Sequence, residues 1–222
     1  MYSTIKNYLL IAFLGGLSIL AMVFFVVALI YPTLPNISHL EKYYPKQPLQ
    51  IYSKDEVLIA EFGEERRDFI AISETPQQMI NAILSIEDRR FFEHPGIDII
   101  GITRAALKNI SGKSHEGAST ITMQVARNFF LTSEKTLKRK INEILLAIKI
   151  ERTLSKEEIL ELYVNQIYLG QRSFGFAAAA NTYFGKNLDQ LNLGETALLA
   201  GLPKAPSRYN PLVRPHLAIK RQ

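Results

Sequence analysis

Two glutamates, a loop leading into a helix and a group of cations are the residues of this chain whose types and spacing could do chemistry. Glu87 follows Ile80, Ile83 and Leu84, which have the i, i+3, i+4 spacing of a buried helix face, and it takes the next place in that stripe. Apolar surroundings and the negative end of a helix dipole both raise a carboxyl pKa, as proton abstraction near neutral pH requires. The alternative is a Glu on the rim of the stripe, paired with Arg89 or Arg90. Glu143 lies among Arg127, Lys135, Lys138, Arg139 and Lys140, and the turn Gly117-Ala118-Ser119-Thr120 precedes a helical pattern. A carboxylate pair near a helix N-terminus suits glycosyl chemistry, whose oxocarbenium-like transition state needs a proton carrier and a nearby anion. The cations suit a leaving group that is already an anion, such as pyrophosphate. Their alternative is a solvated helix face, the reading taken for Lys138, and for Glu143 a plain i, i+4 pair with Arg139.

The elements that must position these groups are mostly helical. Thr75, Pro76 and Gln78 read as cap, first-turn proline and capping-box partner of a helix ending near Glu87. A helix is expected over 98–110, stopped by Ser111-Gly112. The next is capped by Ser119 or Thr120 and runs to about Leu131, with Thr120, Gln124 and Arg127 on one face. Another, capped by Ser133, reaches about Thr153 on a ridge of Leu137, Ile141, Leu145 and Ile148. A capping box at Ser155 and Glu158 opens a helix to Leu169, two more cover 175–184 and 193–202, and the proline-rich end is read as irregular. Before these, Ile51-Tyr52 and 57–62 form a hairpin expected to pack on the helical body, followed by a short strand over 69–72.

The organisation read from the sequence is a tail (1–7), an uncharged membrane-crossing segment (8–31), a proline-rich extended linker (32–49) and one domain (50–222). The apolar run exceeds the roughly 20 residues a bilayer needs, and Val26-Val27-Ala28 is a poor cleavage site, so an uncleaved signal anchor is expected. The 222 residues contain no Cys, which excludes disulfides and thiolate chemistry. A net charge of +5 suits an anionic partner, but no nucleic-acid motif accompanies it. Ser3-Thr4-Ile5-Lys6 matches Ser-x-x-Lys by chance, because it precedes the apolar run and lacks a Lys-Thr-Gly partner. The four histidines show no metal spacing, and His94, before Pro95-Gly96, reads as a turn-fixing hydrogen-bonder.

Residues 87–96 (EDRRFFEHPG), 117–124 (GASTITMQ), 139–143 (RKINE), 158–165 (EILELYVN) and 197–206 (ALLAGLPKAP) resemble, in order, the motifs of the peptidoglycan glycosyltransferases of family 51. Ile59 to Glu64 and Met123 are similar to the 1a type of class A penicillin-binding protein. In that type a transpeptidase domain follows, so the chain is expected to be an N-terminal fragment. The resemblance implies a mainly α, lysozyme-like glycosyltransferase domain with a small N-terminal β-hairpin and an N-terminal transmembrane helix. It also implies polymerisation of lipid II onto a growing glycan strand, outside the cytoplasmic membrane of a bacterium and alongside other cell-wall synthesis proteins.

By resemblance Glu87 is the base and Glu143 the second motif carboxylate, in a role limited to assisting or positioning. Gln124, Arg127, Lys135 and Lys140 hold the donor pyrophosphate with Arg139 beside them, and Phe91, Ser119 and Thr120 belong to the cleft. The family often uses a divalent ion such as magnesium at the pyrophosphate, but no Asp-x-Asp motif marks one here. A lysozyme-type hydrolase and an inactive membrane-anchored scaffold are the competing readings. A hydrolase has no need of the cations or the anchor, and the scaffold has no need of both glutamates.

Overall fold

The computed structural model describes residues 2–222 except 41–42, 44–48, 111–116, 133 and 135. Helix α1 (Tyr2–Ile30) has 29 residues, and at about 1.5 Å per residue it is long enough to cross a hydrocarbon core. It ends in a 3-10 turn (Tyr31–Thr33) with Pro32 inside it. The segment that follows departs from the extended linker expected there: Leu34, Ile37 and Leu40 are buried in the main core, against which Val27 and Ile30 of α1 also pack. Lys149 donates to the Pro35 carbonyl (2.9 Å) and Tyr43 to Gln166 (2.7 Å), fixing the segment from the other side.

Strands β1 (Leu49–Tyr52) and β2 (Leu58–Phe62) form the expected hairpin, with Leu49 opposite Phe62 and a bulge at Ile51/Tyr52. Its packing differs from expectation, because Leu49, Ile51, Tyr52, Val57 and Ile59 are exposed. The strand expected at 69–72 is displaced. Strand β3 (Arg66–Arg67) comes first, and Ile72–Glu74 is a 3-10 turn. The partner of β3 lies far along the chain, beyond the reach of local pattern, in a three-stranded sheet with β4 (Tyr168–Gly170) and β5 (Ser173–Phe174) in the order β3-β5-β4. Leu169, expected in a helix, is in β4.

Among the described residues seven further helices make the body: α2 (Gln77–Glu87), α3 (Ile99–Ile110), α4 (Ile121–Phe130), α5 (Leu137–Glu151), α6 (Lys156–Gln166), α7 (Phe176–Phe184) and α8 (Leu193–Gly201). The short α9 (Pro215–Arg221), opened by a proline in its first turn, replaces the irregular ending expected there. Helix α4 is the centre: Ile121, Met123, Val125 and Ala126 are buried, with α5 on one side and α6 on the other. Ile121, Met123 and Val125 each contribute about 1.5–3 kcal/mol when fully buried.

Two caps differ from the sequence reading. Pro76 takes the N-cap position of α2 without a side-chain bond, while Thr75 donates back to Ala71 (3.1 Å) and Gln78 donates to Thr196 (2.9 Å), fastening α2 to α8. Helix α5 is capped by Thr136, whose hydroxyl accepts from the Arg139 amide (3.1 Å). The expected cap Ser133 lies outside the described residues. Of the ridge expected on α5, Leu145 is buried and Ile141 packs half-buried on the core, but Leu137 is 83% exposed, and the buried residues of the helix are Glu143, Leu145, Leu146, Ala147 and Ile150. A carboxylate thus opens the buried stripe of α5, as another closes that of α2.

Candidate active site

Helix α2 buries Met79 and Ile83, and one turn beyond Ile83 its last residue, Glu87, is half-buried. Gln124, in the first turn of α4, donates from Nε2 to Glu87 Oε2 at 2.7 Å. Burial pushes the Glu87 pKa above the usual carboxylate range. The Gln124 hydrogen bond and the charges of Arg221, Arg127 and Lys204 oppose that shift without cancelling it. The result is a carboxylate that keeps its proton more readily than one in water, beside donors that steady its charged form.

The N-terminus of α4 is held from outside its own helix. Buried Asp88, extended at φ −159, accepts from the Ile121 amide (3.0 Å) and from His94 Nε2 (2.9 and 3.1 Å). Thr120 Oγ1 donates to the Gly96 carbonyl (2.6 Å) and accepts from the Met123 amide (3.2 Å). Gly96 is at φ +88, and a Cβ there would come within 3.0 Å of the Ala147 carbonyl, so the loop fits against α5 only as glycine. Lys156 binds the His94 carbonyl and Glu151 (both 2.7 Å) and stands over the Phe91 ring at 4.4 Å. Segment 88–96 is therefore a brace joining α2, α4, α5 and α6, and His94 fixes it as the sequence suggested.

Beside this brace, Lys140 Nζ donates to Ser119 Oγ (2.8 Å) and to Glu143 Oε1 (2.7 Å), and Arg139 pairs with Glu143 Oε2. Glu143 is 1% exposed and has a cation on each oxygen. So placed, it offers no free oxygen to a reactant. It holds Arg139 and Lys140 in place, an arrangement that suits the positioning half of the role expected for it. The i, i+4 pair with Arg139 does form, but buried and shared with Lys140.

Glu87, Gln124 and Arg127 gather along α4, while Ser119, Lys140, Arg139 and Glu143 gather just before its first turn. Two expected cleft residues are buried. Phe91 is 0% exposed, a core ring against Phe92 and Lys156, and Thr120, at 2%, spends its hydroxyl on Gly96 and Met123. Lys135 lies outside the described residues, and Lys138 is exposed. The sequence reading missed Asp88, Lys204 and Arg221. Asp88 had a local signal, being a second acid directly after the stripe. Lys204 stands in the motif at 197–206 without a role read for it, and Arg221 had no signal, because more than a hundred residues separate it from Glu87. The family motif at 158–165 resolves into separate jobs: Glu158 closes the capping box of α6, Glu161 accepts from the Ile72 amide (2.8 Å) and Asn165 from the Ile70 amide (2.9 Å).

A divalent ion does not fit these carboxylates. Both oxygens of Glu143 are taken by cations, Asp88 is engaged by His94 and Ile121, and among the described residues no three His, Asp or Glu side chains gather as a cation site.

A carboxylate with raised affinity for its proton, with a braced helix N-terminus and two cations held by a buried glutamate, is the centre of a recognisable class. The chain belongs to the transglycosylase family, whose family model matches residues 55–222. It is 55% identical over 202 residues to penicillin-binding protein 1A of Neisseria gonorrhoeae, covering 90% of this chain and 25% of that protein. Penicillin-binding protein 1A of Pseudomonas aeruginosa is 54% identical over 192 residues, 86% of this chain and 23% of the relative. The chain thus spans about a quarter of the length of these curated relatives. A crystal structure of penicillin-binding protein 1A from Haemophilus influenzae is similar at 32% identity and a TM-score of 0.42, covering 81% of this chain and 17% of that one.

Proposed function

We propose that the chain is a peptidoglycan glycosyltransferase that extends glycan strands from lipid II by inverting transfer. The acceptor sugar 4-hydroxyl oxygen attacks C1 of the donor sugar and its proton passes to Glu87. The bond from C1 to the pyrophosphate oxygen breaks, and polyprenyl pyrophosphate leaves as an anion. Burial tunes Glu87 toward receiving that proton, while Gln124 keeps its carboxylate aimed. Arg127, Lys140 and Arg139, with Ser119 beside Lys140, neutralise the departing pyrophosphate, and Lys135 is assigned to the same task on resemblance alone. Glu143 acts through the two cations it holds.

In this reading α1 anchors the domain in the cytoplasmic membrane of a bacterium, with the site on the extracytoplasmic side, where lipid II and the growing strand meet it. Its protein partners there are other cell-wall synthesis proteins. The observation that carries the proposal is the half-buried Glu87 bonded to Gln124, which stands one turn before Arg127 on α4. In detergent with lipid II, Glu87→Gln should abolish polymer while leaving the far-ultraviolet circular dichroism unchanged. Turnover within tenfold of the unsubstituted chain would remove Glu87 from the reaction.

A further inference from the structure

Glu151 and Lys156 stand where helix electrostatics disfavours them. Glu151 is the last residue of α5, at the negative end of that helix, and Lys156 is the first of α6, at a positive end. Both side chains are also largely withdrawn from water, with 8% and 19% of their surface exposed. They pair at 2.7 Å, but a base closing α5 and an acid opening α6 would satisfy both helix ends without reversing the dipole preference. What that simpler arrangement could not supply is the set of bonds the pair makes to other elements. The Lys156 ammonium has three N–H groups and three neighbours: the Glu151 carboxylate, the His94 carbonyl at 2.7 Å and the face of the Phe91 ring at 4.4 Å. The Glu151 oxygen it binds also accepts from Thr122 Oγ1 at 2.5 Å, and Thr122 is a fully buried residue of α4.

Segment 88–96 is thereby tied to α4 twice. Asp88 accepts from the Ile121 amide (3.0 Å) and the Gly96 carbonyl accepts from Thr120 Oγ1 (2.6 Å), while Lys156 and Glu151 bridge the His94 carbonyl to Thr122. The fit is close, since a Cβ at Gly96 would lie 3.0 Å from Glu151 Cγ. Glu87 immediately precedes this segment, and Gln124 is two residues beyond Thr122. The 2.7 Å hydrogen bond between them therefore depends on how the segment sits against the first turn of α4.

We propose that Lys156 is a positioning residue for glycosyl transfer, setting the register between Glu87 and Gln124 by holding His94 and Phe91 against α4. The proposal rests on the reading of Glu87 as the base. With all three of its donors engaged, Lys156 acts through the segment it holds. The cations assigned to the pyrophosphate are supported separately, Arg139 and Lys140 by Glu143 within α5. Loss of Lys156 should therefore slow transfer while leaving recognition of the pyrophosphate group intact.

The test is kcat for lipid II polymerisation in detergent, with the affinity of a phosphoglycolipid inhibitor measured on the same preparations. Lys156→Met keeps the aliphatic stem and should lower kcat at least about tenfold, as a small misplacement of reacting groups does, with Kd changed by less than about twofold. Because the chain has no cysteine, Lys156→Cys treated with bromoethylamine regains an ammonium at this one position, and kcat should return to within about threefold of the unsubstituted value. In a Gln124→Ala background the further loss from Lys156→Met should be less than about twofold, since no donor is left for the register to align. A kcat for Lys156→Met within about twofold of the unsubstituted chain, or an equal fold-loss with and without Gln124, would overturn the proposal. Should the Met variant not fold, Lys156→Gln, which can still donate to the His94 carbonyl, takes its place under the same criteria. Inactivity of Glu87→Gln beside an unimpaired Lys156→Met would remove the positioning role alone, whereas an active Glu87→Gln would remove the base reading.

Discussion

Glu143→Gln removes the charge that Arg139 and Lys140 share, and its cost follows from burial. Truncating one member of a buried ion pair costs about 3–5 kcal/mol, because the remaining charge has lost its partner without regaining water. Here the carboxylate side chain is 1% exposed, Arg139 16% and Lys140 37%. Lys140 can therefore turn outward and recover hydration, while Arg139 cannot do so fully, which places the loss near the lower end, about 3 kcal/mol. Against a total stability of about 5–15 kcal/mol that is a large fraction. With a urea dependence of about 1–3 kcal/mol per molar, the unfolding midpoint in detergent should fall by about 1–3 M. The triple variant Arg139→Met, Lys140→Met, Glu143→Leu should recover most of this stability, since a packed apolar group of similar volume can replace a buried ionic cluster, yet it should bind no pyrophosphate. A loss under about 0.5 kcal/mol for Glu143→Gln would be that of a surface pair and would refute the buried arrangement.

Other perturbations have equally definite outcomes. Because the folded-state pKa of Glu87 is raised, the folded protein binds more protons than the unfolded chain as pH rises past the ordinary value of 4.5, so this carboxylate subtracts stability above that pH. Glu87→Gln should therefore melt higher than the unsubstituted chain at pH 7, with the difference shrinking below pH 4.5; an equal or growing difference in acid would contradict the shift. Gly96→Ala combines a positive φ with a near-clash at Ala147, and thermal unfolding should show a loss of about 1–3 kcal/mol. Arg127→Ala or Lys140→Ala should weaken a phosphoglycolipid inhibitor at least tenfold by calorimetry, and an unchanged Kd would break the pyrophosphate assignment.

How much of this was legible in the sequence depended on distance along the chain. Glu87 could be placed because its stripe, Ile80, Ile83 and Leu84, lies within two turns, and Thr120 and Ser155 could be read as caps because a cap bonds its own first turn. The assignments that failed required partners elsewhere. Gln78 was given to its own helix end, but it bonds Thr196. Leu137 has the right period for a core ridge, yet the packing of α5 on α4 turned Glu143 inward instead. Phe91 and Thr120 stand in family motifs, and motif membership does not separate a residue that meets substrate from one that braces the residues that do. Strand β3 pairs with residues over a hundred positions later, so only the folded chain reveals it.

The burial of Leu34, Ile37 and Leu40 bears on how the enzyme would meet a lipid substrate. Only three residues lie between Ile30 and Leu34, a reach of no more than about 14 Å even if straight. With α1 seated in a bilayer, the catalytic body is moored by a short stay rather than a long leash. Its height over the headgroups, and the orientation in which it can receive a lipid-borne sugar, are then constrained by the chain itself. Inserting a flexible Gly-Ser stretch after Thr33 would free that height while leaving Glu87 and its neighbours untouched.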